Sequence, residues 1–299
     1  MRGRRWEALL WLGPSLALIG GVVFYPAVAL VRASLGRYSI TGVYQGAVGA
    51  ENYARLLQQP ALAVVLGNTA VWVAAVVVIT VVISLGLAQL LNEDFPGRAL
   101  VRWALIVPWA ASLIMTSKLF VWIYDYYFGA LNALLTSLGV LRQPVDWLGE
   151  DATVMAAMIA VGVFVSLPFT TYVLLAGLAS IPSEVYEAAR VDGASRWASY
   201  RRLTLPLLKP ALLVAVVLNV IYVFNSFPIV WTLNDRNPGF AHDTMVTYMY
   251  KIAFKSALRD LGLAAALGVV NVVLILIAVL GYLRTVRWDD GDVAVSGRA

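Results

Sequence analysis

Residues 187–210 read EAARVDGASRWASYRRLTLPLLKP, and they carry seven charges inside a chain that is otherwise mostly apolar. Apolar segments flank the stretch on both sides. Its residue order spells a short helix, a turn and a second helix. Pro182 suits a first helical position, with Ser183 beside it as a cap. Glu184 and Glu187 lie near that N-terminus, where the helix dipole favours acids. Glu187 and Arg190 are three apart and able to pair, while Ala188 and Ala189 make a small, flat face. Asp192-Gly193 ends the helix, because glycine adopts positive φ at low cost. Ala194 follows the turn, and Ser195 is placed to cap the run RWASYRRL, whose basic residues suit an anionic inner membrane surface. Pro206 and Pro210 bracket the start of the next apolar run.

The composition decides the surroundings. The chain has 299 residues, 61% hydrophobic and 13% charged, with a mean hydropathy of +0.80. Soluble domains run nearer about 25% charged, so the bulk reading is an integral membrane protein. Cysteine is absent, which excludes disulfides and thiolate metal sites; the single His242 excludes a multi-histidine metal site, and no metal site is expected. The net charge of +5 is spread along the chain and reads as membrane orientation and contact with lipid, not nucleic-acid binding.

A spanning helix needs roughly 20 mostly apolar residues. Six segments qualify: about 9–31, 61–91, 100–124, 152–179, 206–230 and 260–283. The first resembles a signal peptide in its basic start, yet its apolar run is long enough to span, so it reads as an uncleaved helix. All six are expected as helices, because an open strand leaves unpaired backbone groups in lipid. The fold class is thus an all-α, six-span membrane protein, with residues 1–299 as one transmembrane domain. Segments 1–8, 92–102, 180–209 and 284–299 carry thirteen Lys and Arg; 32–60, 125–151 and 231–259 carry eight. The bias places both termini and the 180–209 loop in the cytoplasm. Gly262, Ala264, Ala266 and Gly268 form small-xxx-small pairs that suit close helix packing within the chain.

A polar solute needs polar groups facing the bundle interior. Asn219, Tyr222 and Ser226 are spaced for one face of the fifth span, Asn225 is three from Tyr222, and Phe224 and Phe227 sit among them. Amide and hydroxyl groups suit sugar hydroxyls, and aromatic rings suit sugar C–H faces; interhelical hydrogen bonding is the other use of such residues. Ser166, Thr170 and Thr171 add polarity to the fourth span, where Pro168 is expected to give a kink. Lys118 is the one charge within an apolar span. It suits an anionic solute, or it snorkels toward Asp125 seven residues on.

The order of the charged stretch resembles the EAA motif of permease subunits from ABC importers, EAA-x2-DGA-x5-F-x2-I-x-LP-x3-P. Glu187-Ala188-Ala189 and Asp192-Gly193-Ala194 match it, Tyr200 stands for Phe, Leu203 for Ile, and Leu205-Pro206 and Pro210 complete it. Further likeness to the carbohydrate-uptake branch, of the maltose and glycerol-phosphate permease type, covers most of the chain. It includes Val48-Gly49 with Asn52-Tyr53, Asn68-Thr69, Pro108-Trp109, Phe128–Asn132, Leu178–Pro182 and Tyr250–Phe254. Thr232–Gly239 departs from the T-G-G-P run common in that branch.

The resemblance implies a type I ABC importer permease fold whose coupling helices, near 183–198, dock on a cytoplasmic ATPase. It assigns Glu184, Glu187, Ala188, Ala189, Arg190, Asp192, Gly193 and Ala194 to that coupling. It implies a second, different permease subunit, two ATPase subunits or domains that bind ATP and Mg²⁺, and an extracytoplasmic solute-binding protein. No cofactor and no catalytic residue is expected in this chain, which lacks a G-x4-GK-S/T phosphate loop. The expected location is the cytoplasmic membrane of a bacterium or archaeon. A glycerol or polyol phosphate is the alternative solute to a sugar. A self-sufficient channel or secondary transporter leaves the 187–210 stretch unexplained, and no paired histidines, cysteine nucleophile or G-x-S-x-G elbow supports an enzyme.

Overall fold

The computed structural model describes residues 3–235, 239–255 and 259–285. Part of the Thr232–Gly239 run, and the C-terminal end of the last basic segment, lie outside the described residues. The chain divides into two compact units, residues 1–66 with 245–274, and residues 67–244 with 275–299.

Among the described residues four helical segments are long and apolar enough to span a membrane, and two bent helix pairs bring the number to six when each pair is taken as one span. In the first unit, α1 (Gly3–Ile19) continues through a π-helical turn at Gly20–Phe24 into α2 (Tyr25–Ser34). Pro26 has no N–H for the α-helical ladder, and the turn before it widens instead. The sequence reading placed no strands after this span. The structure has a short antiparallel hairpin there, β1 (Gly36–Tyr38) and β2 (Tyr44–Ala47), pairing Gly36 with Ala47 and Tyr38 with Tyr44. Next comes α3 (Glu51–Leu57). A buried polar knot ties these pieces together. Asn52 Nδ2 donates to the carbonyls of Ser34 and Gly36 at 2.9 and 2.8 Å, and the Ser34 and Tyr53 hydroxyls lie 2.7 Å apart.

The small residues of the last span act inside this unit. Gly262 has room for no side chain, since a Cβ there collides with the Gly36 carbonyl and the Asn52 amide. Asp260 Oδ1 accepts from Leu263 N at 2.9 Å, at the start of α15 (Leu261–Thr285; α14 is Met245–Tyr250), and Arg55 pairs with the same carboxylate at 2.6 Å.

The second unit holds α4 (Ala61–Asn92) from Gly67 onward and α8 (Asp151–Ala179), both long single helices. Apolar residues line every side of them, as expected for helices surrounded by lipid or protein. Trp72, Val76, Met158 and Val161 centre one buried cluster. A Cβ on Gly162 falls 2.7 Å from the Trp72 ring, and the Trp72 indole N–H donates to the Val223 carbonyl at 2.9 Å. Leu91, Leu174, Leu208 and Ala215 belong to a second cluster. α8 continues as one helix through Pro168.

The third and fifth spans differ from single straight helices. α5 (Arg98–Ala110) and α6 (Leu113–Ile123) are bent by 102°. Ala111 and Ser112 are extended between them, and Pro108 has already removed one donor from the ladder just upstream. After α7 (Ala130–Ser137), α8 and the charged loop, helix Arg196–Leu207 meets α12 (Lys209–Phe224) at 64°. Pro210 cannot donate to the Pro206 carbonyl, so the ladder fails at the bend. A further break follows at Asn225-Ser226, before α13 (Phe227–Leu233). Asn225 Nδ2 donates to the Ile221 carbonyl at 2.9 Å and closes the end of α12.

Candidate functional site: the charged loop and the polar lining

The loop between α8 and α12 forms α9 (Ser183–Val191), α10 (Arg196–Ser199), a π-helical turn (Tyr200–Thr204) and α11 (Leu205–Leu207). Pro182, not Ser183, is the N-cap of α9. Ser183 is already helical, because the extended Pro182 (ψ 140°) supplies the cap conformation and no side-chain bond is made there. The far end is closed by a glycine in the left-handed region. Gly193 has φ +72°, its N–H donates to the Arg190 carbonyl at 3.1 Å, and Ala194 N–H donates to the Ala189 carbonyl at 2.9 Å. That pair of bonds is a Schellman closure. Ser195 then caps α10, accepting from Ala198 N–H at 3.2 Å.

Ala188 and Ala189 do not share a face. Ala188 is exposed and Ala189 is buried, since successive helical residues point about 100° apart. The exposed stripe of α9 is Glu184, Glu187, Ala188 and Val191, at the three- and four-residue spacing of one helical face. Val191 is 88% exposed, a bare apolar side chain between two acids and the Asp192-Gly193 turn. The sequence reading passed over it; its position four residues after Glu187 was the available signal. Arg190 is exposed, and among the described residues no ion pair joins it to Glu187. Trp197, 69% exposed, stacks on Tyr200 with ring centroids 5.9 Å apart. Tyr186 and Thr204 share a hydrogen bond of 3.1 Å, which links α9 to the turn leading into α12.

The residues proposed to line a solute path separate into different surroundings. Asn219 is buried, and its Nδ2 donates to Thr170 Oγ1 at 3.1 Å. Thr170 in turn donates to the Ser166 carbonyl at 2.9 Å, and Thr171 donates to Ser84 at 3.1 Å. Asn219 thus joins α12 to α8. Tyr222 is 42% exposed. Asn225 is exposed and Ser226 is buried. The common face expected for Asn219, Tyr222 and Ser226 does not exist, because the helix ends before Ser226 and its rotation is lost.

Lys118 and Phe227 do come together. They line a cleft of about 230 Å³ between α6 and α13, with Trp231 and Asp235. Asp125 is not the partner of Lys118 within the described contacts. Its carboxylate accepts from Tyr127 N–H and Phe128 N–H, both at 3.0 Å, and so orders its own turn. The sequence reading passed over Trp231 and met Asp235 only within the Thr232–Gly239 departure; Phe227, Trp231 and Asp235 recur every four residues, which was a legible signal.

Residues 83–286 match the family model described as a binding-protein-dependent transport system inner membrane component. The chain is 32% identical over 289 residues to a sulfoquinovosyl glycerol transport system permease protein of Agrobacterium fabrum, covering 96% of this chain and 92% of that one. It is 32% identical over 280 residues to a trehalose/maltose transport system permease protein of Thermococcus litoralis, covering 93% of each. A crystal structure of a bacterial ABC transporter involved in the import of the acidic polysaccharide alginate superposes with a TM-score of 0.81 at 23% identity, covering 95% of this chain and 96% of that one. The six spans are therefore those of a type I importer permease. Family match, fold and the glycine-closed loop agree, and the chain belongs to the family of inner membrane components of binding-protein-dependent ABC transport systems.

Proposed function

We propose that this chain is one of two permease subunits in the membrane core of an ATP-driven importer for a sugar or sugar-like solute. The carrying observation is the exposed stripe Glu184, Glu187, Ala188 and Val191 on α9, fixed in place by the Gly193 closure. A short, rigid helix of this kind fits a groove on a cytoplasmic ATPase. Glu187 offers a charge-assisted contact and Val191 an apolar one. Arg190, Asp192, Gly193 and Ala194 shape the turn, while the buried Ala189 packs the helix onto its own chain.

Movement is alternating access. A loaded extracytoplasmic binding protein docks outside, and ATP with Mg²⁺ closes the two ATPase subunits. The pull on α9 passes through the Tyr186–Thr204 bond to the bend before α12, and the cavity opens outward. Hydrolysis and release reset it inward. The chain itself binds no nucleotide and stands in the cytoplasmic membrane with both termini inside. Asn225, Tyr222 and the Lys118–Phe227 cleft offer the polar and aromatic surface along the route. The relatives named for trehalose/maltose and for sulfoquinovosyl glycerol transport support a saccharide. Lys118 is the observation that favours the second reading, a polyol phosphate.

The test is purification of the tagged chain in mild detergent, followed by reconstitution. Co-purification of an ATPase and a second six-span subunit, with ATP-dependent uptake, is expected. A chain that purifies alone and moves solute without ATP contradicts the proposal.

A further inference from the structure

The cleft between α6 and α13 has a composition that packing does not require. On its α13 side, Phe227 and Trp231 are stacked, with ring centroids 5.4 Å apart and planes at 15°. Both line the cleft, as do Lys118 from α6 and Thr232 and Asp235 from the end of α13. Its volume of about 230 Å³ lies below the roughly 300–1,000 Å³ of sites for drug-sized ligands, and suits a single small ring.

The charges are not equivalent. Lys118 sits in an apolar span, where an ammonium is costly without a counter-charge or water. Among the described residues it has no ion pair, although Asp235 lines the same cleft. Lys118 and Asp235 are both exposed on the chain, but Lys118 lies in the middle of α6 while Asp235 lies beyond the last residue of α13. The one charge carried within α6 and α13 themselves is therefore positive. The aromatic pair beside it presents a π surface, electron-rich at the ring face and attractive to C–H groups.

We infer that this cleft is a subsite for a saccharide unit bearing an anionic substituent, with Lys118 as the residue that selects the charge. The C–H face of the ring lies on Trp231, its anionic group meets the Lys118 ammonium, and its hydroxyls donate to Asp235. A carboxylate, a sulfonate or a phosphate meets this requirement alike. The inference rests on the saccharide-importer reading above and narrows it.

The test uses the whole importer in lipid nanodiscs, without its binding protein, and calorimetric titration of maltose, digalacturonate and glycerol 3-phosphate. Digalacturonate is expected to bind about tenfold tighter than maltose, the scale of one charge-assisted contact. Lys118→Met removes the difference, Lys118→Arg keeps it, and Trp231→Ala weakens both sugars while leaving assembly with the partner subunits intact. Equal binding of the two sugars, an unchanged preference in Lys118→Met, or no binding of either overturns the inference. Binding of glycerol 3-phosphate that Trp231→Ala does not weaken overturns the saccharide assignment in favour of a polyol phosphate. ATP-dependent uptake of the binding protein's own ligand, measured after the same importer is reconstituted into proteoliposomes and its binding protein is added back, separates the failures. Uptake with an indifferent cleft sinks only this inference; absent uptake sinks the importer reading beneath it.

Discussion

The hydroxyls of Tyr186 and Thr204 meet at 3.1 Å across eighteen residues of chain, and among the described residues they form the side-chain hydrogen bond that joins α9 to the turn before α12. Thr204 is buried and Tyr186 is half-buried. The bond lies between the exposed stripe of α9 and the 64° bend at Leu208. A pull on the stripe therefore has a direct route to the span that bends.

Removing that bond tests the route. Tyr186→Phe removes one hydroxyl and almost no volume, a change worth about 1 kcal/mol. Insertion and assembly are expected to stay normal, while solute moved per ATP hydrolysed falls several-fold in proteoliposomes. A stoichiometry equal to wild type shows that force does not pass through this pair.

Gly193 is expected to respond to backbone conformation alone. No heavy atom lies within 4 Å of a Cβ built there, so crowding plays no part, and φ +72° is the whole constraint. Gly193→Ala costs about 1 kcal/mol and Gly193→Asn less, whereas proline, fixed near −65°, cannot adopt the turn. Uptake should fall in the order Asn, Ala, Pro, with all three variants still inserted in the membrane. Wild-type uptake by Gly193→Pro is the outcome that removes the lever.

The exposed stripe makes a second kind of prediction. Glu187→Lys and Val191→Asp change only exposed side chains, so the melting temperature of the purified permease should move little. Both should lose the ATPase during purification. Retention of the ATPase by both variants assigns the contact to another surface, with Trp197 the next residue to change.

Packing at Gly162 is open to a stability measurement. Gly162→Ala pushes a methyl group to 2.7 Å from the Trp72 ring, at a helix contact inside the main core. Overpacking of this kind costs about 1–3 kcal/mol. A lower melting temperature in detergent is expected, with partial recovery when Trp72→Phe is added. An unchanged melting temperature means that the two helices part freely.

Much of this was already in the sequence. The six apolar runs were long enough that lipid left the backbone no choice but helix. The glycine turn was legible because Asp192-Gly193 follows a short helix-forming run, and Gly193 is left-handed for the reason that glycine is used there. Two of the scattered likenesses proved to be structural knots. Asn52 holds the hairpin by two carbonyls, and Asn132 donates to the Val145 carbonyl at 3.0 Å while accepting from the Trp147 indole at 2.9 Å. Gly129 beside it leaves no room for a Cβ against the carbonyls of Ile123 and Asp125.

Only the tertiary structure decided which way the polar residues of the spans point. Hydrophobic periodicity orients a helix at a water boundary, but a helix apolar on every side carries no such mark. Asn219 and Tyr222 are three residues apart, yet one is buried against Thr170 and the other is 42% exposed. The breaks at Ala111-Ser112, Leu208 and Asn225-Ser226 depend on where freed carbonyls and extended residues find room, which a run of apolar letters does not state. The cleft of Lys118, Phe227 and Trp231 joins residues more than a hundred positions apart. A contact between such distant segments is set by helix packing, and no local pattern encodes it.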